Sequence, residues 1–410
     1  MEFEQHQLPN GIRIIHKQST SAVAHCGLII NAGSRDEKAE QQGLAHFIEH
    51  VIFKGTKKRK AFHILSRMED VGGELNAFTT KEETCVYSSF MPEYYPRALE
   101  LLYDITFCST FPAKELKKEK TVVIDEINSY KDNPSEQIFD DFEEQLFEGH
   151  AIGKNILGTP DLVKSFNKTA ITEFINDNYH SSEMIICSIG NIPFSKLIKW
   201  CEKYFSAIPS KTGKKKHSAF KGYTTQHKTT KHNGYQTHCM IGNVAYSASH
   251  PKKTTLILLN NILGGPGMNS RLSLGIREKY GFTYHIESHY TPYIDTGFFN
   301  IYLASDKDKV EKSIKLVKKE LKKFREITLG PQQLKKAKQQ LIGQIAIGQE
   351  SEVNLMLALG KSLLLYNKVD SFEEVKAKIE AVTAKDLQEV AQEIFNEKQL
   401  STLIFKDDLK

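Results

Sequence analysis

His46-Phe47-Ile48-Glu49-His50 sets two imidazoles four residues apart with a carboxylate between them. On an α-helix, residues i and i+4 share a face one turn apart, so both rings can grip a single ion. Glu49 stands three residues after His46 and reaches the same side. A zinc ion lowers the pKa of its bound water toward ~7, and an adjacent carboxylate can then take the proton. The surrounding residues Leu44, Phe47, Ile48, Val51, Ile52 and Phe53 are apolar and predict a helix packed on several sides. Two histidines and a glutamate are costly to bury in such a helix without partners, and a metal supplies them. The alternative is a buried helix whose two histidines are satisfied by core neighbours. The order H-x-x-E-H is the reverse of the zinc-binding H-E-x-x-H.

A catalytic zinc site takes three protein ligands and keeps one position open for water, whereas a structural site closes with four. The stretch LKKEKTVVIDEINSY (116–130) offers the third ligand. Its apolar side is Val122, Val123, Ile124 and Ile127, and it presents Glu119 and Glu126 seven residues, or two turns, apart on one face. Glu126 lies 76 residues beyond His50. The alternative for each glutamate is a solvated surface position, the commonest fate of the residue.

Six segments, two of them containing the residues above, carry a family resemblance: NAGSRDE (31–37), GLAHFIEHVIFKGT (43–56), GGELNAFTTKEETCVY (72–87), EKTVVIDEI (119–127), ILGTP (156–160) and REKYGFTY (277–284). Together they resemble the pitrilysin/insulinase family of zinc peptidases, and more closely its bacterial branch related to mitochondrial processing peptidase. The resemblance implies that His46, His50 and Glu126 bind one zinc ion per chain, that Glu49 is the general base, and that Glu119 supports the site. It also implies that Arg277 and Tyr284 stabilise the oxyanion formed from the scissile carbonyl. Asn76, Ala77 and Phe78 match the family's substrate strand, with Phe78 as a pocket wall. An extended peptide could add to such a strand through backbone hydrogen bonds if it lies at a sheet edge; the alternative is an ordinary protected edge. Relatives often carry His-Pro where this chain has His150-Ala151, a difference without chemical consequence.

The chain of 410 residues is long enough for two or three domains. Apolar residues make up 40% and charged residues 26%, ordinary values for a soluble globular protein. No apolar run approaches the ~18–20 residues of a membrane span, and MEFEQHQLPNGIRIIHK has no basic-then-apolar leader. The cysteines at 26, 85, 108, 187, 201 and 239 form no C-x-x-C pair and are read as reduced thiols of a cytoplasmic protein. The net charge of +5 gathers in basic runs at Lys57–Lys60 and Lys214–Lys216. No aromatic residues interleave with them, so they read as solvated loop lysines and predict neither a nucleic-acid nor a membrane partner.

The chain also contains itself twice. LKKEKTVVIDEI (116–127) aligns without a gap with LKKAKQQLIGQI (334–345) at an offset of 218. GLIINAGS (27–34) matches MIGNVAYS (240–247), and 171–190 mirrors 387–405. The polar, basic stretch 208–225 reads as a linker. The expected domains are therefore 1–207, bearing the metal, and 226–410, without it. In the second copy Ala337 stands opposite Glu119 and Gln344 opposite Glu126, and no H-x-x-E-H occurs. Alternating runs such as IRIIHK, HCGLIINAG, TCVYSSF, MIICSIG, HCMIGNVAY, GFFNIYLAS and STLIFK predict strands. Amphipathic stretches at 91–109, 135–148, 161–178, 252–263, 308–326, 331–349, 353–367 and 372–395 predict helices. The expected class is α+β, with two homologous domains, each a mostly antiparallel sheet covered by helices on one face. The resemblance adds a clamshell arrangement around a chamber, and a homodimer.

The reading that follows is a zinc metalloendopeptidase hydrolysing peptides or unfolded segments small enough to enter an enclosed chamber. Its rivals are a non-catalytic structural subunit and a zinc-dependent protein that holds peptides without cutting them. Glu49 separates the last from an enzyme, because a pure binder has no need of a carboxylate beside the water.

Overall fold

The computed structural model describes residues 3–213, 217–232 and 235–407; the basic run Lys214–Lys216, within the expected linker, lies outside them. Two compact units emerge. Among the described residues, the first comprises 3–128, 154–213 and 348–369, and the second 129–153, 217–232, 235–347 and 370–407.

The first unit is built on a six-stranded sheet of β1 (Glu4–Gln7), β2 (Arg13–Gln18), β3 (Ala24–Ile30), β4 (Glu74–Thr79), β5 (Thr84–Phe90) and β6 (Met184–Gly190). Their order is β1-β2-β6-β3-β5-β4. Every pair is antiparallel except β2 with β6. All seven residues of β6, MIICSIG, are buried. Met184 and Ile186 enter the main core, while Ile185, Cys187 and Ile189 face a smaller one. A strand covered on both faces reads as a continuous apolar run rather than an alternation.

The second unit repeats this plan with β7 (His227–His232), β8 (Thr237–Val244), β9 (Thr283–Pro292), β10 (Gly297–Ser305) and β11 (Ser401–Asp407), ordered β7-β11-β8-β10-β9. Here β7 and β11 are the parallel pair, and the other pairs are antiparallel. The match to β2-β6-β3-β5-β4 in order and direction is the structural form of the repeat seen in the sequence.

Each sheet carries helices on both faces, where one face was expected. The extra cover comes from the opposite half of the chain. Among the helices are α1 (Leu44–Val51), α2 (Ala113–Lys131), α3 (Pro134–Leu146), α4 (Pro331–Gly348) and α5 (Glu352–Tyr366). Met356, Leu359 and Leu363 of α5 pack on Ile15, Ile29 and Cys187 of the first sheet. Ile138, Phe142 and Leu146 of α3 pack on Met240, Tyr302 and Phe405 of the second. The starts of α2 and α4, and those of α3 and α5, are separated by the same 218 residues. The exchange of a covering helix is therefore part of the repeated pattern.

Local differences from the expected elements have local causes. The stretch 372–395 is two helices, Phe372–Ala381 and Ala384–Ile394, because Thr383 forms a capping box with Asp386. The stretch 161–178 divides at Asn167, whose side chain caps Ala170. Helices Ala61–Glu69 and Phe194–Phe205 were not anticipated. Within the run at 57–60, Arg59 bonds Glu100 at 2.7 Å and Asp104 at 2.5 Å. It is tied into the fold rather than free on a basic face. No helix among the described residues is long and apolar enough to cross a membrane.

Candidate metal centre

Helix α1 buries Leu44, Ala45, Phe47, Ile48 and Val51 in the main core of the first unit. That fixes its rotation, and the helical period turns His46, Glu49 and His50 to the remaining side. Its N-terminus is set by Gly43, at φ +96°. A Cβ there would come within 2.6 Å of the Leu157 carbonyl oxygen, and the partner Gly158 also has φ +72°. Glycine alone adopts both conformations without strain. The segments GLAHF and ILGTP are thus two halves of one close backbone approach.

Helix α2 brings the third group. It buries Leu116, Val123 and Ile127 and directs Glu119 and Glu126 toward α1. Glu126 Oε2 lies 3.7 Å from His46 Nε2 and 3.5 Å from His50 Nε2. One ligand atom from each residue lies within 4.8 Å of the others, and no further such group of three occurs among the described residues. The separations are longer than a good hydrogen bond. Bonds of ~2.1 Å at tetrahedral angles place neighbouring ligand atoms about 3.4 Å apart, so the set fits one zinc ion. Burial, aided by the neighbouring His50, pushes His46 down to about 3. Its imidazole is neutral at ordinary pH, the form that offers a lone pair to a metal. His46 Nδ1 is buried without a hydrogen-bond partner, so Nε2 is the polar contact this ring has to offer.

His50 is held more firmly. Its Nδ1 lies 3.1 Å from Glu119 Oε1, and Lys54 Nζ lies 2.8 Å from Glu119 Oε2. Burial alone would raise the Glu119 carboxyl. The hydrogen bonds from His50 and Lys54 outweigh it and hold the group below its ordinary value. A carboxylate accepting from the outer nitrogen of a metal-ligating histidine fixes its tautomer and orientation. Glu119 therefore meets the candidate site through His50. Glu119→Gln is expected to keep the fold and lower zinc affinity ~10–100-fold, measured by competition with a chromogenic chelator.

Glu49 sits on the same helix side, with its carboxyl raised above its ordinary value. Burial is the main cause and Glu126 adds to it, against the Thr79 hydroxyl and His50. Such a shift suits a base that must both take and return a proton.

The other expected residues fall in two places. Asn76, Ala77 and Phe78 lie on β4, the edge strand beside β5 among the described residues. Helix α1 packs against β4, and Phe78 rests on Tyr87 with ring centroids 6.2 Å apart. Arg277 and Tyr284 belong to the second unit. Arg277 lies in the π-helical segment Ser273–Glu278, its Nε 3.0 Å from Glu278 Oε1. Tyr284 is on β9 and 86% exposed. At the positions opposite the two glutamates, Ala337 is buried in the second core and Gln344 has no carboxylate to offer. Sequence reading missed Lys54 and Thr79. Lys54 could have been found, since it stands four residues after His50.

Comparison with known proteins accords with this geometry. Residues 13–160 match the family described as insulinase (peptidase family M16), and 165–341 match the peptidase M16 inactive domain. An uncharacterized zinc protease of Bacillus subtilis is 33% identical over 98% of both chains. A second, from Rickettsia bellii, is 31% identical over 99% of this chain and 98% of its own. The mitochondrial-processing peptidase subunit beta of Bos taurus is 28% identical over 95% of this chain and 81% of its own. Among solved structures, a peptidase M16 inactive domain from Pseudomonas fluorescens superposes with a TM-score of 0.92 at 19% identity, covering 100% of this chain and 98% of that one. A protease from Helicobacter pylori gives 0.91 at 21% identity, covering 98% and 99%. The chain belongs to the insulinase family of peptidases, peptidase family M16, and its relatives include proteins named zinc proteases.

Proposed function

We propose that this protein is a zinc metalloendopeptidase with one zinc ion per chain, held by His46, His50 and Glu126. The observation that carries this reading is the meeting of those three ligand atoms within 4.8 Å, with Glu49 between the histidines on the same helix. A bound zinc ion supplies Lewis acidity, polarising the scissile carbonyl and making water acidic enough to lose a proton near neutral pH. Glu49 takes that proton and returns it to the leaving amine. Glu119 keeps the His50 ring oriented through Nδ1. Asn76, Ala77 and Phe78 receive the substrate as an added strand on β4, which binds through the backbone and so makes little demand on sequence. Arg277 and Tyr284 donate to the oxyanion.

A second reading, a peptide-binding or structural subunit, draws support from relatives named as a subunit. That name also supports a working assembly of more than one chain, which we propose to be a homodimer. Metal content and turnover of an internally quenched peptide separate the readings. The enzyme loses cleavage on dialysis against chelator and regains it with one equivalent of zinc. Zinc uptake without cleavage of any library peptide would favour the subunit.

A further inference from the structure

The segment Gly33–Glu37 touches both parts of the candidate site. On one side it follows the connection after β4. The Ser34 amide donates to the Thr80 carbonyl at 3.1 Å, and the Arg35 amide to the Lys81 carbonyl at 2.9 Å. The Arg35 guanidinium, buried, pairs with Glu82. Gly33 lies so close that a Cβ would meet the Lys81 carbonyl at 2.5 Å. On the other side, the Glu37 carboxylate accepts from the Gly43 amide at 2.9 Å and the Ala45 amide at 2.8 Å. These are amides at the start of α1, whose own N-cap, Gly43, has no side chain to offer.

The first amides of any helix lack intrahelical partners and need an acceptor. In an eight-residue helix there is little further length to hold the axis in place. A negative charge at this end is also favoured by the helix dipole. Burial pushes the Glu37 carboxyl up, to about 8, against the two amide bonds and Lys81. Both oxygens accept, so the two amide bonds pull the group back toward the ionised form, and burial outweighs them.

We infer that Glu37 is a positioning residue that fixes α1, and with it His46, Glu49 and His50, in register with strand β4. The inference rests on the zinc reading above. Glu37 touches neither metal nor substrate. It acts through the backbone of α1, while Arg35 anchors the same segment to the connection that ends β4. Zinc affinity and the placement of Glu49 over a strand-bound peptide thus depend on one carboxylate that lies outside the H-x-x-E-H motif.

The test uses the full chain loaded with cobalt(II) in place of zinc, which reports coordination by its visible absorption. Glu37→Gln keeps the volume but presents an amide donor to one of the two amide groups. The expected result is an unchanged circular dichroism spectrum, a shifted and weaker cobalt band, and ~10–100-fold weaker metal binding, the range seen for outer partners of metal ligands. With saturating metal, kcat falls while KM for peptide stays near its original value. Glu37→Asp restores part of the cobalt signal; a variant that merely loosened packing would not recover it. A folded Glu37→Gln protein with unaltered metal affinity and spectrum overturns the inference. Failure of the parent protein to bind cobalt overturns instead the zinc reading. If Glu37→Gln does not fold, hydrogen exchange on the parent protein decides. Slow exchange at the Gly43 and Ala45 amides upholds the inference, and exchange as fast as in an open loop overturns it.

Discussion

Glu49→Gln is expected to bind zinc as well as the parent protein and to cleave peptide ~10²–10⁴-fold more slowly, the usual contribution of a positioned general base. The substitution removes a proton acceptor and little else. Glu49 is not among the three groups whose ligand atoms converge, so metal content should stay at one equivalent. It lies near Thr79 on β4, and glutamine has the same length and nearly the same volume, so the packing is kept. An uncharged amide also relieves the cost of burying a carboxylate near Glu126, so thermal stability should hold or rise slightly. The decisive measurement pairs zinc analysis with kcat and KM on a quenched peptide. A fall in kcat with KM unchanged marks an interaction made only in the transition state. Unchanged turnover would refute the assignment of Glu49 as base.

Glu126→Ala should have the opposite signature: the fold persists, and the metal is lost. The side chain is one-third exposed, so its removal opens no core cavity and leaves α2 anchored by Leu116, Val123 and Ile127. Two imidazoles remain, and two protein ligands are fewer than catalytic zinc sites use. Zinc affinity should drop by more than the ~10–100-fold that loss of an outer partner costs. Thermal unfolding reads this without any substrate. At free zinc of about 100 times its dissociation constant, the parent protein gains ~2.7 kcal/mol from binding. At the same concentration, a variant binding ~100-fold more weakly gains only about 0.4 kcal/mol. A variant whose melting point rises with zinc as steeply as the parent's would remove Glu126 from the ligand set.

Much of the candidate site was readable because helices impose fixed spacings. An offset of four residues from His46 to His50, and of seven from Glu119 to Glu126, places each pair on one face wherever the helix lies. The buried strands β3, β6, β8 and β10 were readable too, although they are nearly continuously buried, where alternation was expected of them. The strands that escaped notice are the polar ones. β7 is HKTTKH, almost wholly exposed, and β1 is EQHQ. Both lie at sheet edges, where pairing is through the backbone and side chains carry no core signal. β9, TYHIESHYTP, buries only Thr283, Ile286 and Ser288 and is an edge strand too. The helix breaks at Asn167 and Thr383 went unread because the apolar period runs on across both capping residues.

Sequence by itself determined the local chemistry: which side chains share a helix face, and which half of the repeat carries the carboxylates. These depend on period and residue type, which act over one or two turns. Only the tertiary structure decided that α2 brings Glu126 to α1, that Lys54 closes on Glu119, and that Glu37 reaches the amides of α1. The same holds for the covering of each sheet by a helix from the other half of the chain. Such contacts join residues far apart in the chain, and their geometry is set by which apolar faces find one another in the core.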